Sequence, residues 1–244
     1  MNTTTTHKTA LVFGGSRGIG AAIARRLARD GANVAFTYSS AGARASDVAA
    51  AIEGHGRQAL AIRADSGDAG ALREAVGQAV ARFGRIDTVV AAAGVLHLAD
   101  IEAFSLEQFD RMLDVNVRGV YLAIQAALPH MGAGGRIVTI GSNVAERSNH
   151  PGSSVYALTK GAVATMVKAL AADLAPRGIT INNIQPGPIE TDMTADMIEA
   201  IKGLIPLGRV GQPLEVAALA AWLAGEESGY MTGASLTIDG GMSL

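Results

Sequence analysis

Short apolar runs alternate along the chain with longer segments whose apolar residues recur every three or four positions. TALVF (9–13) is the first compact apolar run and predicts a strand. IGAAIARRLARDG follows, with Ile19, Ile23 and Leu27 four apart and Gly31 as a stop, which is a helical pattern. Further strands are predicted at NVAFTY (33–38), QALAIRAD (58–65), IDTVVAAAG (86–94), GRIVTIGS (135–142), GITINNIQPG (178–187) and SLTIDG (235–240). Helical patterns separate them: ASDVAAAIEGHG, AGALREAVGQAVARFG, one long segment from Ser105 to Met131, residues 156–175, and LEVAALAAWLAG. The long segment opens with the capping-box pattern Ser105 to Gln108. Apolar strands alternating with helices predict a parallel sheet covered on both faces, joined by right-handed crossovers. No linker, repeat or low-complexity stretch intervenes. The expectation is one doubly wound α/β domain over residues 8–244, preceded by a flexible polar tail, residues 1–7.

Composition narrows the function classes. The chain has 244 residues, and 49% hydrophobic content suffices for one large core. Twenty basic residues face 22 acidic ones, so no basic excess exists to attract nucleic acid. The absence of cysteine excludes disulfides, thiolate chemistry and cysteine-held metals, and fits a cytoplasmic protein. No metal-ligating cluster is evident. The start, MNTTTTHK, lacks the apolar centre of a signal peptide, and His7 is read as inert. Apolar runs such as Val216–Ala224 are too short to span a bilayer, so no membrane role is expected.

Between the first strand and first helix lies VFGGSRGIGAAI, with Gly14, Gly18 and Gly20 spaced G-x-x-x-G-x-G. Such a turn lets a diphosphate approach main-chain N–H groups without a Cβ in the way, at a helix N-terminus with partial positive charge. In a doubly wound sheet this is the dinucleotide crevice, so the domain is read as Rossmann-type. The end of the second strand selects the cofactor. An acidic residue there favours NADH; here FTYSSAGARA has no carboxylate before Asp47. Arg17, Tyr38, Ser39, Ser40 and Arg44 surround the position of a 2′-phosphate, which favours NADPH/NADP. For Arg44 a solvated helix position is the alternative.

SSVYALTKG (153–161) places Tyr156 and Lys160 one turn apart on one side of a helix. Alone, the pair reads as a half-buried tyrosine beside a surface lysine. With AAAG (91–94), DVN at Asn116, IGS at Ser142 and QPGPIETD (185–192), in this order and spacing, the chain from about Lys8 to Asp239 resembles the short-chain dehydrogenase/reductase family.

That resemblance implies a catalytic set of Asn116, Ser142, Tyr156 and Lys160. Tyr156 would protonate a carbonyl oxygen as hydride arrives at carbon. Lys160, with oxidised nicotinamide, would lower a phenol pKa that is ordinarily about 10, and would bond the ribose. Ser142 would orient the carbonyl, and Asn116 would hold a water linking Lys160 to solvent; a helix-kinking structural role for Asn116 is compatible with this. The resemblance also implies cofactor contacts from the turn residues Gly14, Ser16, Arg17, Gly18, Ile19 and Gly20; from Asp65, Ser66, Ala92, Ala93 and Gly94; and from Pro186, Gly187, Ile189 and Thr191. It implies a small-molecule carbonyl substrate and a homotetramer, the latter supported by the nearly all-apolar GAVATMVKALAADLA helix.

Three departures stand out. Phe13 replaces a usual threonine, AAAG replaces NNAG, and the interval from Ser142 to Tyr156 is one residue longer than in many members. The first two are expected to compensate through apolar packing. Glu146 and His150, in the loop after Ser142, are within reach of a substrate, although for Glu146 a solvated loop carboxylate is the favoured reading. A 3-oxoacyl-carrier-protein reductase is the first alternative, disfavoured because PHMGAGG before strand five carries no lysine or arginine. The second comes from GGSRGIGAAI, DGANVAFTY and GITINNIQPGPIETD, which resemble a bacterial subgroup with cyclic-di-GMP-binding, biofilm-dispersing members. It is a nucleotide-responsive regulator on a reductase scaffold.

Overall fold

Seven parallel strands form one sheet in a computed structural model that describes residues 7–40, 42–148 and 150–244. The strands are β1 (Thr9–Phe13), β2 (Asn33–Tyr38), β3 (Ala59–Arg63), β4 (Thr88–Ala91), β5 (Arg136–Ile140), β6 (Thr180–Pro186) and β7 (Ser235–Ile238). Their order is β3-β2-β1-β4-β5-β6-β7. Direction reverses between β1 and β4, so the carboxyl ends of those strands flank an open crevice. Apart from His7, which is exposed, the expected tail lies outside the described residues.

Alternation along β1 shows how one apolar run serves two layers. Leu11 and Phe13 face one core with Leu72, Val76, Ile124, Val163 and Val167. Ala10 and Val12 face the other with Ile23, Leu27, Val48, Ile52 and Val216. Helices α3 (Ala69–Phe83), α5 (Gly119–Ala127) and α6 (Ser154–Leu174) cover the first face; α1 (Gly18–Arg29), α2 (Gly42–Gly54) and α8 (Pro213–Ala224) cover the second. Each fully buried large side chain, such as Phe13 or Ile23, contributes roughly 2–3 kcal/mol.

The expected single helix from Ser105 to Met131 is broken. It comprises α4 (Leu106–Leu113), a π-helical turn (Asp114–Arg118), α5 and a 3₁₀ turn (Leu128–His130). Ser105 caps α4 by accepting from the Gln108 N–H at 3.2 Å. Within the wide turn the Gly119 N–H reaches back five residues to the Asp114 carbonyl.

A second difference follows β6. Short helical turns at Ala195–Met197 and Lys202–Leu204 flank α7 (Ile198–Ile201), where no element was expected. Ile201, Ile205 and Val210 gather there into a small separate cluster.

The helical stretch Ser154–Arg177 is also long and apolar enough, at mean hydropathy 1.2, to cross a bilayer. The apolar runs named above missed it because it is interrupted by polar residues. Its buried stripe, Val155, Thr159, Val163, Val167, Ala171 and Leu174, repeats at helical spacing; its apolar members beyond Val155 pack on the sheet.

Candidate active site

The crevice at the β1/β4 switch point has a volume of about 300 Å³, within the range of small-molecule sites. Its floor is the glycine turn. Gly14 has φ +79°, and a Cβ there would lie 2.7 Å from the Ala93 backbone. At Gly20 a Cβ would fall 2.1 Å from the Gly14 carbonyl oxygen. Only glycine fits either position, and the result is a tight turn leading straight into the N-terminus of α1. These observations fit the diphosphate of a dinucleotide.

Phe13 is fully buried beside its β4 partner Ala91, so the large ring sits against the smallest side chain of the neighbouring strand. The glycine turn is tied to β2 by a side chain. The buried Thr37 Oγ1 accepts from the Gly14 N–H at 3.0 Å. Sequence reasoning passed over Thr37 because it reads as an ordinary strand residue.

The structure brings the expected cofactor residues Gly14, Ser16, Arg17, Gly18, Ile19 and Gly20 into the wall, together with Tyr38, Ser39, Asp65, Ser66, Ala92, Ala93 and Gly94. Pro186, Gly187, Ile189 and Thr191 line the opposite end, beside Ser142, Tyr156 and Lys160. Ser40 does not line the crevice: it is exposed, past the end of β2. Asn116 also lies behind the wall, buried at 1% exposure.

Asp65 was read as an adenine contact, and its carboxylate is already engaged. Arg111 of α4 donates to both oxygens at 3.0 and 3.1 Å, and the Gly67 N–H donates at 2.9 Å. Burial raises the Asp65 pKa, but these bonds together hold it below the usual carboxylate value. Arg111 lines the crevice and was not foreseen.

Ser142 follows β5 and Tyr156 sits in the first turn of α6, so a strand end and a helix start converge. Part of the Tyr156 surface stays open to the crevice. Burial nevertheless pushes its phenol up to about 12, with the Ser142 hydrogen bond pulling the other way. Lys160 is 5% exposed, and burial lowers its pKa to about 8. Its ammonium lies 5.5 Å from the centre of the Tyr156 ring and donates to the Ile140 carbonyl at 3.0 Å. The expected lowering of the phenol by Lys160 does not arise within the chain itself, because desolvation dominates and the ammonium is bonded elsewhere.

Asn116 is more fully engaged than expected. Its Oδ1 accepts from the Val95 N–H at 2.9 Å, and its Nδ2 donates to the Val95 carbonyl at 2.9 Å and to Thr159 Oγ1 at 3.2 Å. With both amide hydrogens committed to protein, a water here has only acceptor positions to use, on Oδ1 or on main-chain carbonyls of the π turn.

The loop after Ser142 departs from the expected substrate role. Glu146 accepts from Thr237 Oγ1 at 2.7 Å, and neither Glu146 nor His150 lines the crevice. The longer interval is accommodated by Gly152, whose carbonyl accepts from the Ala99 N–H at 3.2 Å. The loop is thereby tied to the segment after β4. Val95, Leu96, Asn143, Met193 and Thr194 supply the wall beside Tyr156 instead.

A crevice that fits a dinucleotide, with a serine, a tyrosine and a lysine converging at one end, defines an oxidoreductase of the nicotinamide-using α/β type. The chain belongs to the short-chain dehydrogenase/reductase family. The family model described as Enoyl-(Acyl carrier protein) reductase matches residues 14–243. A solved short-chain dehydrogenase/reductase from Serratia marcescens BCRC 10948 is 52% identical, with TM-score 0.95 over 97% of this chain and 98% of that one. A short-chain dehydrogenase from Burkholderia cenocepacia J2315, solved in complex with NADP, is 46% identical, with TM-score 0.94 over 97% and 98% of the two chains. The cyclic-di-GMP-binding biofilm dispersal mediator protein of Escherichia coli (strain K12) is 42% identical over 238 residues, 96% of this chain and 97% of that protein.

Proposed function

We propose that the protein is an NADPH-dependent reductase of a small ketone or aldehyde, working reversibly on the alcohol. The carrying observation is that Ser142, Tyr156 and Lys160 share one crevice with the glycine turn and with Arg17. The NADP complex of the Burkholderia relative supports the choice of cofactor.

Bound cofactor supplies the hydride and, once oxidised, a positive charge beside the phenol. Ser142 donates a hydrogen bond to the carbonyl oxygen and steadies the charge that develops there. Tyr156 holds the proton that this oxygen takes as the carbon is reduced. Lys160, released from Ile140, has three donors to share between the ribose hydroxyls and the phenolate side of the site. Asn116 braces the wall by joining Val95 to Thr159. Arg17, Ser39 and Arg44 are the proposed partners of a 2′-phosphate.

The test is a carbonyl panel with purified protein and each cofactor. Turnover with NADPH, at higher kcat/KM than with NADH, supports the reading. Absence of turnover across the panel, or a preference for NADH, overturns it. A regulator binding cyclic-di-GMP is the second reading, favoured by the name of the Escherichia coli relative. Tight binding of that dinucleotide without turnover would support it. A carrier-protein substrate is favoured only by the family model's description; the stretch before β5 offers an acidic carrier no cation before Arg136. Self-association as a homotetramer belongs to the same proposal. Leu158 on α6 and Tyr121 on α5 are 51% and 43% exposed, an apolar surface suited to a second copy.

A further inference from the structure

Arg44, near the start of α2, does not itself line the crevice, but its guanidinium reaches a residue that does. Asp192, next to Thr191 after β6, stands on the nicotinamide side. The two are 148 residues apart, yet Arg44 Nη1 donates to Asp192 Oδ2. Arg17 Nη1 lies 4.0 Å from the same oxygen. One carboxylate therefore engages both arginines assigned above to the 2′-phosphate. Thr194 Oγ1 donates to the Ile189 and Thr191 carbonyls, and the Thr194 N–H returns to the Thr191 carbonyl at 3.1 Å.

A 2′-phosphate and this carboxylate need the same guanidinium donors and carry the same sign of charge. Phosphate brings up to two charges and three acceptor oxygens, so it can win the arginines, but against an incumbent. NADH has only a hydroxyl at that position and makes no such claim. We infer that Asp192 is a specificity-determining residue: its carboxylate competes with the cofactor's 2′-phosphate for Arg17 and Arg44, and so restrains the preference for NADPH. The inference rests on the NADPH reading of the crevice. All three side chains are more than half exposed, so the effect is that of a solvent-screened pair.

Dissociation constants for NADPH and NADH, measured by nucleotide fluorescence on the full chain, decide the matter. Asp192→Asn is expected to tighten NADPH about fivefold while leaving NADH within about twofold. Asp196→Asn, the same charge change four residues on, controls for general electrostatics and is expected to shift neither selectively. An unchanged or weaker NADPH affinity in Asp192→Asn overturns the inference, as does an equal gain for both cofactors. The wild-type ratio by itself tests the NADPH reading; the change in that ratio tests Asp192.

Discussion

Lys160 and Tyr156 share a helix face but not a hydrogen bond: the ammonium lies 5.5 Å from the ring centre and bonds the Ile140 carbonyl. Both groups carry the cost of burial, in opposite directions on the pH scale. The phenol is held as a proton carrier, and the amine is held close to release. Within the chain they form two separately desolvated groups that a positive nicotinamide and a ribose would bring into one network.

Replacement of Tyr156 by phenylalanine removes the proposed proton donor together with its hydrogen bond to Ser142. The expected result is a fall in kcat of about 10²–10⁴-fold, with NADPH affinity within about twofold of wild type. Retention of full turnover in Tyr156→Phe would move the proton donor to another residue.

Lys160 bears on stability in a definite direction. Burial depresses its pKa from 10.5 to about 8, so the folded chain carries the cost of a buried ammonium in full below pH 8. That cost fades as pH rises from about 8 to 10.5, where the unfolded chain also loses its proton. Lys160→Met, free of cofactor, is therefore expected to be more stable than wild type at pH 7 by about 2 kcal/mol, after the lost bond to Ile140. Denaturant melts across pH should show the gap closing toward pH 10.5. A variant less stable than wild type at pH 7 contradicts this account.

Asn116 holds three hydrogen bonds in a buried position, two of them to the main chain of Val95. Asn116→Ala strands that N–H and carbonyl, and is expected to cost about 3 kcal/mol. Thr159→Val removes only one of the three and is expected to cost about 1 kcal/mol. Equal losses in the two variants would show that the bracing of Val95 contributes nothing.

Thr37 ties the glycine turn to β2. Thr37→Val keeps the shape and leaves the Gly14 N–H without its acceptor, at an expected cost of about 1–2 kcal/mol. Binding titrations should show NADPH weakened several-fold as the glycine turn loosens. Unaltered affinity would mean that the turn is held by its other contacts.

The strands were legible because a sheet covered on both faces makes each strand a continuous apolar run, and the helices between them because one face is periodic. The glycine turn was legible from its local spacing, whereas Ser142, Tyr156 and Lys160 became candidates only through the order of motifs along the whole chain. The break at Asp114–Arg118 was not, since helical periodicity on either side continues through it. Within that break Asn116 reaches inward to Val95, a contact made across the fold.

By itself, then, the chain's pattern determined the α/β alternation and the dinucleotide turn, and supplied the candidate reacting side chains. Tertiary structure alone decided that Ser40 stands outside the crevice, that Glu146 turns to Thr237, that Thr37 ties the glycine turn to β2, and that Arg111 and Asp192 enter the site. Each of these depends on which atoms meet between segments far apart in sequence. A hydrogen bond or ion pair is a matter of ångströms that spacing along a chain does not specify.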